Sequence, residues 1–246
     1  MNRSYSKFLI AIALVGAPLL AAAGPGMSVL DITVSPLDAP KVVAAFDKMM
    51  SSPLGKQYKG RLVLEAHVAD GDNPATHSIV GLYHSMAEAE AFAKQAQGDP
   101  AWQELLNTVV PIAQAGFTAR AATIKSWGDI NDTDTIWNVH YFTVTDPVAF
   151  SEALNAWLNS PTGKKFPGQG HLFALTAAGV NPATHVISVG YASLAEMEAY
   201  ADMVRNSDDW AKYMVAVAPT SKHLGASIMQ DIKAWGPATV KSLSTQ

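Results

Sequence analysis

The chain has 246 residues, 49% of them hydrophobic and 15% charged, so one or two domains with a proper core are possible and a disordered composition is not. Lys and Arg number 17 against 21 Asp and Glu, a formal net charge of −4 without basic runs, which speaks against a nucleic-acid partner. The absence of cysteine excludes disulfides, thiolate nucleophiles and cysteine-ligated metal clusters.

Residues 1–23 read as a secretory signal peptide. Arg3 and Lys7 make a basic start, Phe8 to Leu20 is almost wholly apolar, and Ala21-Ala22-Ala23 offers the small residues of a cleavage site. The apolar run is shorter than the roughly 20 residues a membrane-spanning helix needs, and Pro18 interrupts it. The expected mature protein is exported, periplasmic or secreted, and free of the membrane after cleavage.

From Met27 the pattern predicts a strand to Ser35, then a helix over Lys41 to Met50 with Asp38 at its N-cap. Strands follow at Arg61–Val68 and Thr76–Tyr83, joined by the turn-rich Asp70-Gly71-Asp72-Asn73-Pro74. Ser85 and Glu88 form a capping box for the next helix. A further helical stretch runs from Ala101 to about Ala115, and Phe117–Trp127 ends the unit as a strand. Residues 129–135 read as a polar linker. Residues 136–236 then repeat residues 27–128 at an offset of 108: Asn73-Pro74-Ala75-Thr76-His77 returns letter for letter as Asn181-Pro182-Ala183-Thr184-His185. Trp102 maps onto Trp210 and Pro111 onto Pro219 without a gap, and Ser193 with Glu196 repeats the capping box.

Each unit reads β-α-β-β-α-β, which implies a four-stranded antiparallel sheet with both helices on one face. The expected fold class is α+β: two tandem ferredoxin-like modules that bury their bare faces against each other as a pseudo-dimeric α/β barrel. A strand ending in Tyr83 or Tyr191, then Ser-x-x-Glu opening a helix, then a small-residue break and Trp102 or Trp210, resembles the dimeric α/β-barrel superfamily of ferredoxin-like proteins. That group includes antibiotic-biosynthesis monooxygenase-like, NIPSNAP-like and DUF1330-like families. The resemblance implies a cavity between the sheets, and activities that range from cofactor-free oxygenation and haem degradation to none.

Strand alternation aims Asp31, Glu65 and His67 of the first module into the barrel, and Trp137, Tyr141, His171 and Phe173 of the second. Glu65 or His67, with Asp31 nearby, is the expected base, because a carboxylate beside a His in an apolar pocket has its pKa moved toward neutrality. The aromatic half suits a small apolar or aromatic molecule. Asn138 and His140 replace Leu30 and Ile32 and are further binding candidates. The repeated His77 and His185, with Tyr83 and Tyr191, are either paired functional groups or hairpin-fixing residues. Haem-degrading members of the superfamily use an Asn, a Trp and a His, for which Asn138, Trp210 and His223 are available. A metal site could be drawn from Asp31, Glu65, His67 and His171, but no HExxH or tight His-x-His supports one, and none is expected.

Three functions stay open on the residues. The first is an exported small-molecule-binding protein, with cofactor-free oxygenase or proton-transfer chemistry in the cavity between the modules. The second is a non-catalytic association module, and the third is haem or metal handling. No cofactor is assigned. Duplication of a dimer within one chain predicts a monomer that acts as a pseudo-dimer.

Overall fold

In a computed structural model, residues 24–237 are described; the expected signal segment 1–23 lies outside them. The elements are β1 (Gly26–Val34), α1 (Ala39–Ser51), β2 (Arg61–Ala69), β3 (His77–Tyr83), α2 (Met86–Ala96), α3 (Pro100–Val109) and β4 (Ala113–Gly128). They are followed by β5 (Ile136–Val144), α4 (Pro147–Leu158), β6 (Gln169–Ala177), β7 (His185–Tyr191), α5 (Leu194–Arg205), α6 (Asp208–Val217) and β8 (Ser221–Trp235). No helix among the described residues is long and apolar enough to cross a membrane.

Local chemistry sets the helix starts. Ser85 and Ser193 accept from the N–H of Glu88 and Glu196, both at 3.2 Å, and Glu196 reaches back to Ala192 N at 2.8 Å. Proline occupies the first turn of α1, α3 and α4, where its missing N–H has no partner to lose. Asp38 stands at the N-cap of α1, but its carboxylate takes Ser35 Oγ at 2.8 Å and Lys41 Nζ at 2.7 Å instead of a backbone N–H.

The sheet departs from two facing sheets. One antiparallel sheet of eight strands runs through both halves in the order β1-β3-β2-β8-β5-β7-β6-β4, and β4 pairs back with β1 to close the ring. The two halves meet edge to edge, through β2–β8 and β4–β6. These bridging strands also begin earlier than the sequence pattern suggests. The helical stretch expected to reach Ala115 stops at Val109, and β4 starts at Ala113, opposite Val34. Its counterpart β8 starts at Ser221, opposite Val144. A strand that must pair with its own module and with the other one needs the extra length, and Pro111 and Pro219 end the preceding helices in time.

The repeated Asn-Pro-Ala-Thr-His stretch fixes the hairpins. Asn73 Oδ1 accepts from Ala75 N and Asn181 Oδ1 from Ala183 N, at 3.1 and 2.9 Å. Thr76 and Thr184 accept from Val34 N and Val144 N, and each hydroxyl also bonds Nδ1 of the following His77 or His185 at 2.8 or 2.9 Å. These two histidines therefore hold turns of separate modules and do not form a pair.

The helices cover the outer face of the ring. Under α1 and α3, a contiguous apolar core joins Leu30, Ile32, Phe46, Leu64, Trp102 and Leu106. The second half splits into smaller clusters around Phe150 with Leu172 and around Tyr191 with Tyr200. Phe150 is completely buried against β7 and β5 neighbours, so Phe150→Ala is expected to cost about 3–5 kcal/mol. In a thermal denaturation scan this appears as a fall in Tm of roughly 10 °C.

Candidate functional site

Alternation along β5 separates two cavities that share no lining residue. Trp137, Val139 and Tyr141 point into the ring; Asn138, His140 and Phe142 point out under the helices.

The interior cavity is about 130 Å³. Of the residues expected there, Asp31, Glu65, Trp137, Tyr141, His171 and Phe173 all line it. His67 sits behind them with a nearly covered side chain. Ser78 Oγ donates to Asp31 Oδ1 at 2.7 Å and lies 2.8 Å from His67 Nε2; His67 Nδ1 in turn lies 2.9 Å from Asp70 Oδ2. Asn73 Nδ2 adds a second donor to Asp31 at 3.2 Å, and Ser227 Oγ donates to Asp70. Burial raises the pKa of Asp31 against the pull of those donors. Burial raises that of Glu65 far more, with the charges of Asp231 and Asp31 adding to it. Asp231 rises to about 7 through burial, only partly offset by Arg61 and by the Trp137 side chain. His171 stacks near Trp137, bonds Ser126 Oγ at 2.8 Å, and is held down to about 4 by burial. Among the described residues no group of three or more potential ligands is placed to hold a metal ion.

Asn138 and His140 belong elsewhere. They line a larger cavity of about 400 Å³ between the outer face of β5 and β7 and the helices α4, α5 and α6. Its walls are aromatic: Trp157 of α4, Tyr200 of α5, Trp210 and Tyr213 of α6, and Phe142. His140 Nδ1 lies 3.3 Å from Nε2 of His223, which stands on β8 with an exposed side. Burial, and then the His223 charge, hold the His140 pKa down to about 4. Trp157 and Tyr200 line the cavity as well, while their Nε1 and Oη atoms are covered by protein and have no hydrogen-bond partner. Asn138, Trp210 and His223, the trio available for haem chemistry, do line this one cavity.

The equivalent space in the first module is narrower, a cleft of about 110 Å³ beside Tyr58, Tyr83 and Phe92. At the 108-residue offset, Leu30, Ile32 and Ala115 stand where Asn138, His140 and His223 stand, and Met49 and Phe92 where Trp157 and Tyr200 stand. The core of the first module closes over these positions. Tyr83 bonds Ser28 Oγ at 3.1 Å and packs on Tyr58 beside that cleft, and Tyr191 borders the larger cavity.

Trp157, Tyr200, Tyr213, Ser78, Asp70 and Asp231 escaped the sequence reading. For the first three a signal existed: comparing the helices at the repeat offset shows aliphatic or plain phenyl side chains replaced by polar-tipped aromatics. Asp231 stands where the first module has Thr123, a change equally visible in strand order.

No family model and no curated protein matches the sequence. Solved structures do match the fold. A candidate monooxygenase from Lactobacillus acidophilus NCFM aligns with a TM-score of 0.61 at 12% identity, over 88% of this chain and 98% of that one. A candidate monooxygenase from Fusobacterium nucleatum aligns at 0.59 and 13%, over 89% and 97%. An anthrone oxidase-like protein aligns at 0.56 and 14%, over 86% and 92%. The chain thus shares its α+β fold with these structures, two of them candidate monooxygenases.

The depressed pKa of His140 makes a signed prediction. Below about pH 6.5 the unfolded chain takes up a proton that folded His140 refuses until about pH 4, so this residue lowers stability as pH falls through that window. His140→Ile, which restores the residue of the first module, removes that cost. Its Tm advantage over the parent should grow between pH 7.5 and pH 5, by an amount equivalent to about 1–2 kcal/mol.

Proposed function

We propose that the protein is an exported, monomeric enzyme of oxygenase type, a dimer fused into one chain, acting on a flat, oxygen-bearing aromatic molecule held in the cavity of the second module. One observation carries this reading: a space of about 400 Å³ walled by aromatic rings, with Asn138 and the His140–His223 pair on its wall. An aromatic-walled space with a few polar groups converging on it suits a flat aromatic molecule that bears oxygen acceptors. The names of the structural neighbours, monooxygenase and anthrone oxidase-like, point to the same class.

The chemistry needs no group beyond the substrate, dioxygen and a base. His140 is neutral at physiological pH, since its pKa is near 4. With its Nδ1 turned to His223, its Nε2 remains for the substrate. Removal of a proton from an activated CH2 beside a ring gives an enolate. The enolate adds dioxygen to form a hydroperoxide, which loses water and leaves a carbonyl: CH2 and O2 become C=O and H2O, with the electrons supplied by the substrate. His140 alone is a weak base, which is the reason the pair matters. As Nε2 gains the substrate proton, Nδ1 passes its own to His223 at the exposed edge, and the charge ends beside water. Asn138, on the same face of β5, orients the rim oxygen.

Haem handling is a second reading, favoured by the meeting of Asn138, Trp210 and His223. It is the weaker one, because His223 and His140 face each other, and an iron ligand would have to leave that contact.

Oxygen uptake with anthrone as the probe tests the proposal. The mature protein should consume oxygen with anthrone in the absence of added metal. His140→Ile should reduce turnover at least a hundredfold, and Tyr200→Phe should raise KM more than it lowers kcat. No oxygen uptake, combined with a sharp Soret band on titration with haem, would favour the second reading instead. Light scattering should give a single 1:1 mass for the mature chain.

A further inference from the structure

The interior of the ring contains chemistry that the second-module cavity does not use. Asp31 on β1, Glu65 on β2 and Asp231 on β8 face one space of about 130 Å³. Asp31 is supplied with donors by Ser78 and Asn73. Asp231 accepts from the Trp137 side chain. Glu65 is wholly enclosed by protein, and among the described residues its carboxyl has no hydrogen-bond partner. Its accessible surface is surface of the cavity it lines. Asp231 keeps one buried carboxyl oxygen, Oδ1, without a partner.

A buried carboxyl group without donors is expensive, and three that share a space cannot all ionise unless positive charge is added. Two of the three have a cationic neighbour: Arg61, which pairs with Asp132 at 3.0 Å on the linker at the mouth of the ring, also favours the charged form of Asp231, and His67 Nε2 lies 4.0 Å from Asp31, so Glu65 is the acid left without one. His171 is held neutral by burial and Tyr141 is held un-ionised by it, so neither balances the acids. The rest of the wall is apolar or aromatic: Val29, Val63, Val80 and Met229, with Trp137 and Phe173.

We propose that the ring interior is a second binding site, for a small primary ammonium ion on an apolar or aromatic body, with its charge seated on Glu65, which stands in register between Asp31 and Asp231. An ammonium group brings one positive charge and three N–H donors and no acceptor, which matches the donor-less carboxyl of Glu65 and the spare acceptor capacity of its two acidic neighbours. The aromatic faces of Trp137 and Phe173 accept the cation's flank and the hydrocarbon body. A divalent metal is a poorer match, because the acids are not grouped for coordination and apolar walls offer few further oxygens. The volume suits roughly six to eight non-hydrogen atoms at the density of protein interiors. The half-exposed Asp132 marks the way in, where the ion pair with Arg61 lies across the mouth. This site is independent of the second-module cavity, since the two share no residue.

Isothermal titration calorimetry of the mature protein with benzylamine, and with benzyl alcohol as its neutral counterpart, decides the matter. Benzylamine should bind at least tenfold more tightly than the alcohol. Glu65→Gln should weaken it by at least tenfold, and His140→Ile, in the other cavity, should leave it unchanged. Asp231→Asn serves the same purpose should Glu65→Gln fail to fold. The proposal is overturned by the absence of benzylamine binding at millimolar concentration, by equal binding of the alcohol, or by amine affinity that both carboxyl variants preserve.

Discussion

The edge-to-edge pairing of β4 with β6 and of β2 with β8 is the constraint on which everything else rests. An exposed strand edge presents a row of unpaired N–H and C=O groups, and each module alone would have two such edges. Joining them end to end satisfies both pairs at once and leaves no edge. It also forces β4 and β8 to be the longest strands, because each must pair with its own module over one part and with the other module over the next. The register shifts along both interfaces show how the ladder bends to do so. Trp235 Nε1 bonds Asp47 Oδ1 at 2.8 Å, tying the end of β8 to α1 of the opposite half.

Closing the ring creates two kinds of space, and the period of two along a strand keeps them apart. A residue change at odd positions of β5 alters the interior, while one at even positions alters the space beneath the helices. The modules have diverged independently on the two faces. On the inner face the first half carries Asp31 and Glu65, where the second carries Val139 and Phe173. On the outer face the first half has Leu30, Ile32 and Met49 packed into its core, whereas the second has Asn138, His140 and Trp157 at those positions around a larger cavity. One copy thus keeps the packing that stabilises the fold, and the other can accept the cost of an unfilled cavity.

That cost is visible in the titrating groups. His140 and His171 resist protonation, and Glu65 and Asp231 resist ionisation, all because burial disfavours their charged forms. The two sets lie on opposite faces or opposite walls, so they do not neutralise one another.

The sequence by itself determined the α+β class, the element order, the capping boxes, the 108-residue repeat and the inner-facing set Asp31, Glu65, Trp137, Tyr141, His171 and Phe173. These follow from local rules: hydrophobic period, turn chemistry and strand alternation act over a few residues and are readable along the chain. Only the tertiary structure decided that the halves join edge to edge, that Asn138 and His140 open on a cavity beneath the helices, and that Trp157 and Tyr200 reach it from α4 and α5. It alone brought Asp231 of the last strand beside Glu65 of the second, and Ser78 between His67 and Asp31. Those meetings depend on which strand edges pair and on how helices lie across a curved sheet, contacts between residues more than a hundred positions apart in the case of Glu65 and Asp231, and no local pattern encodes them.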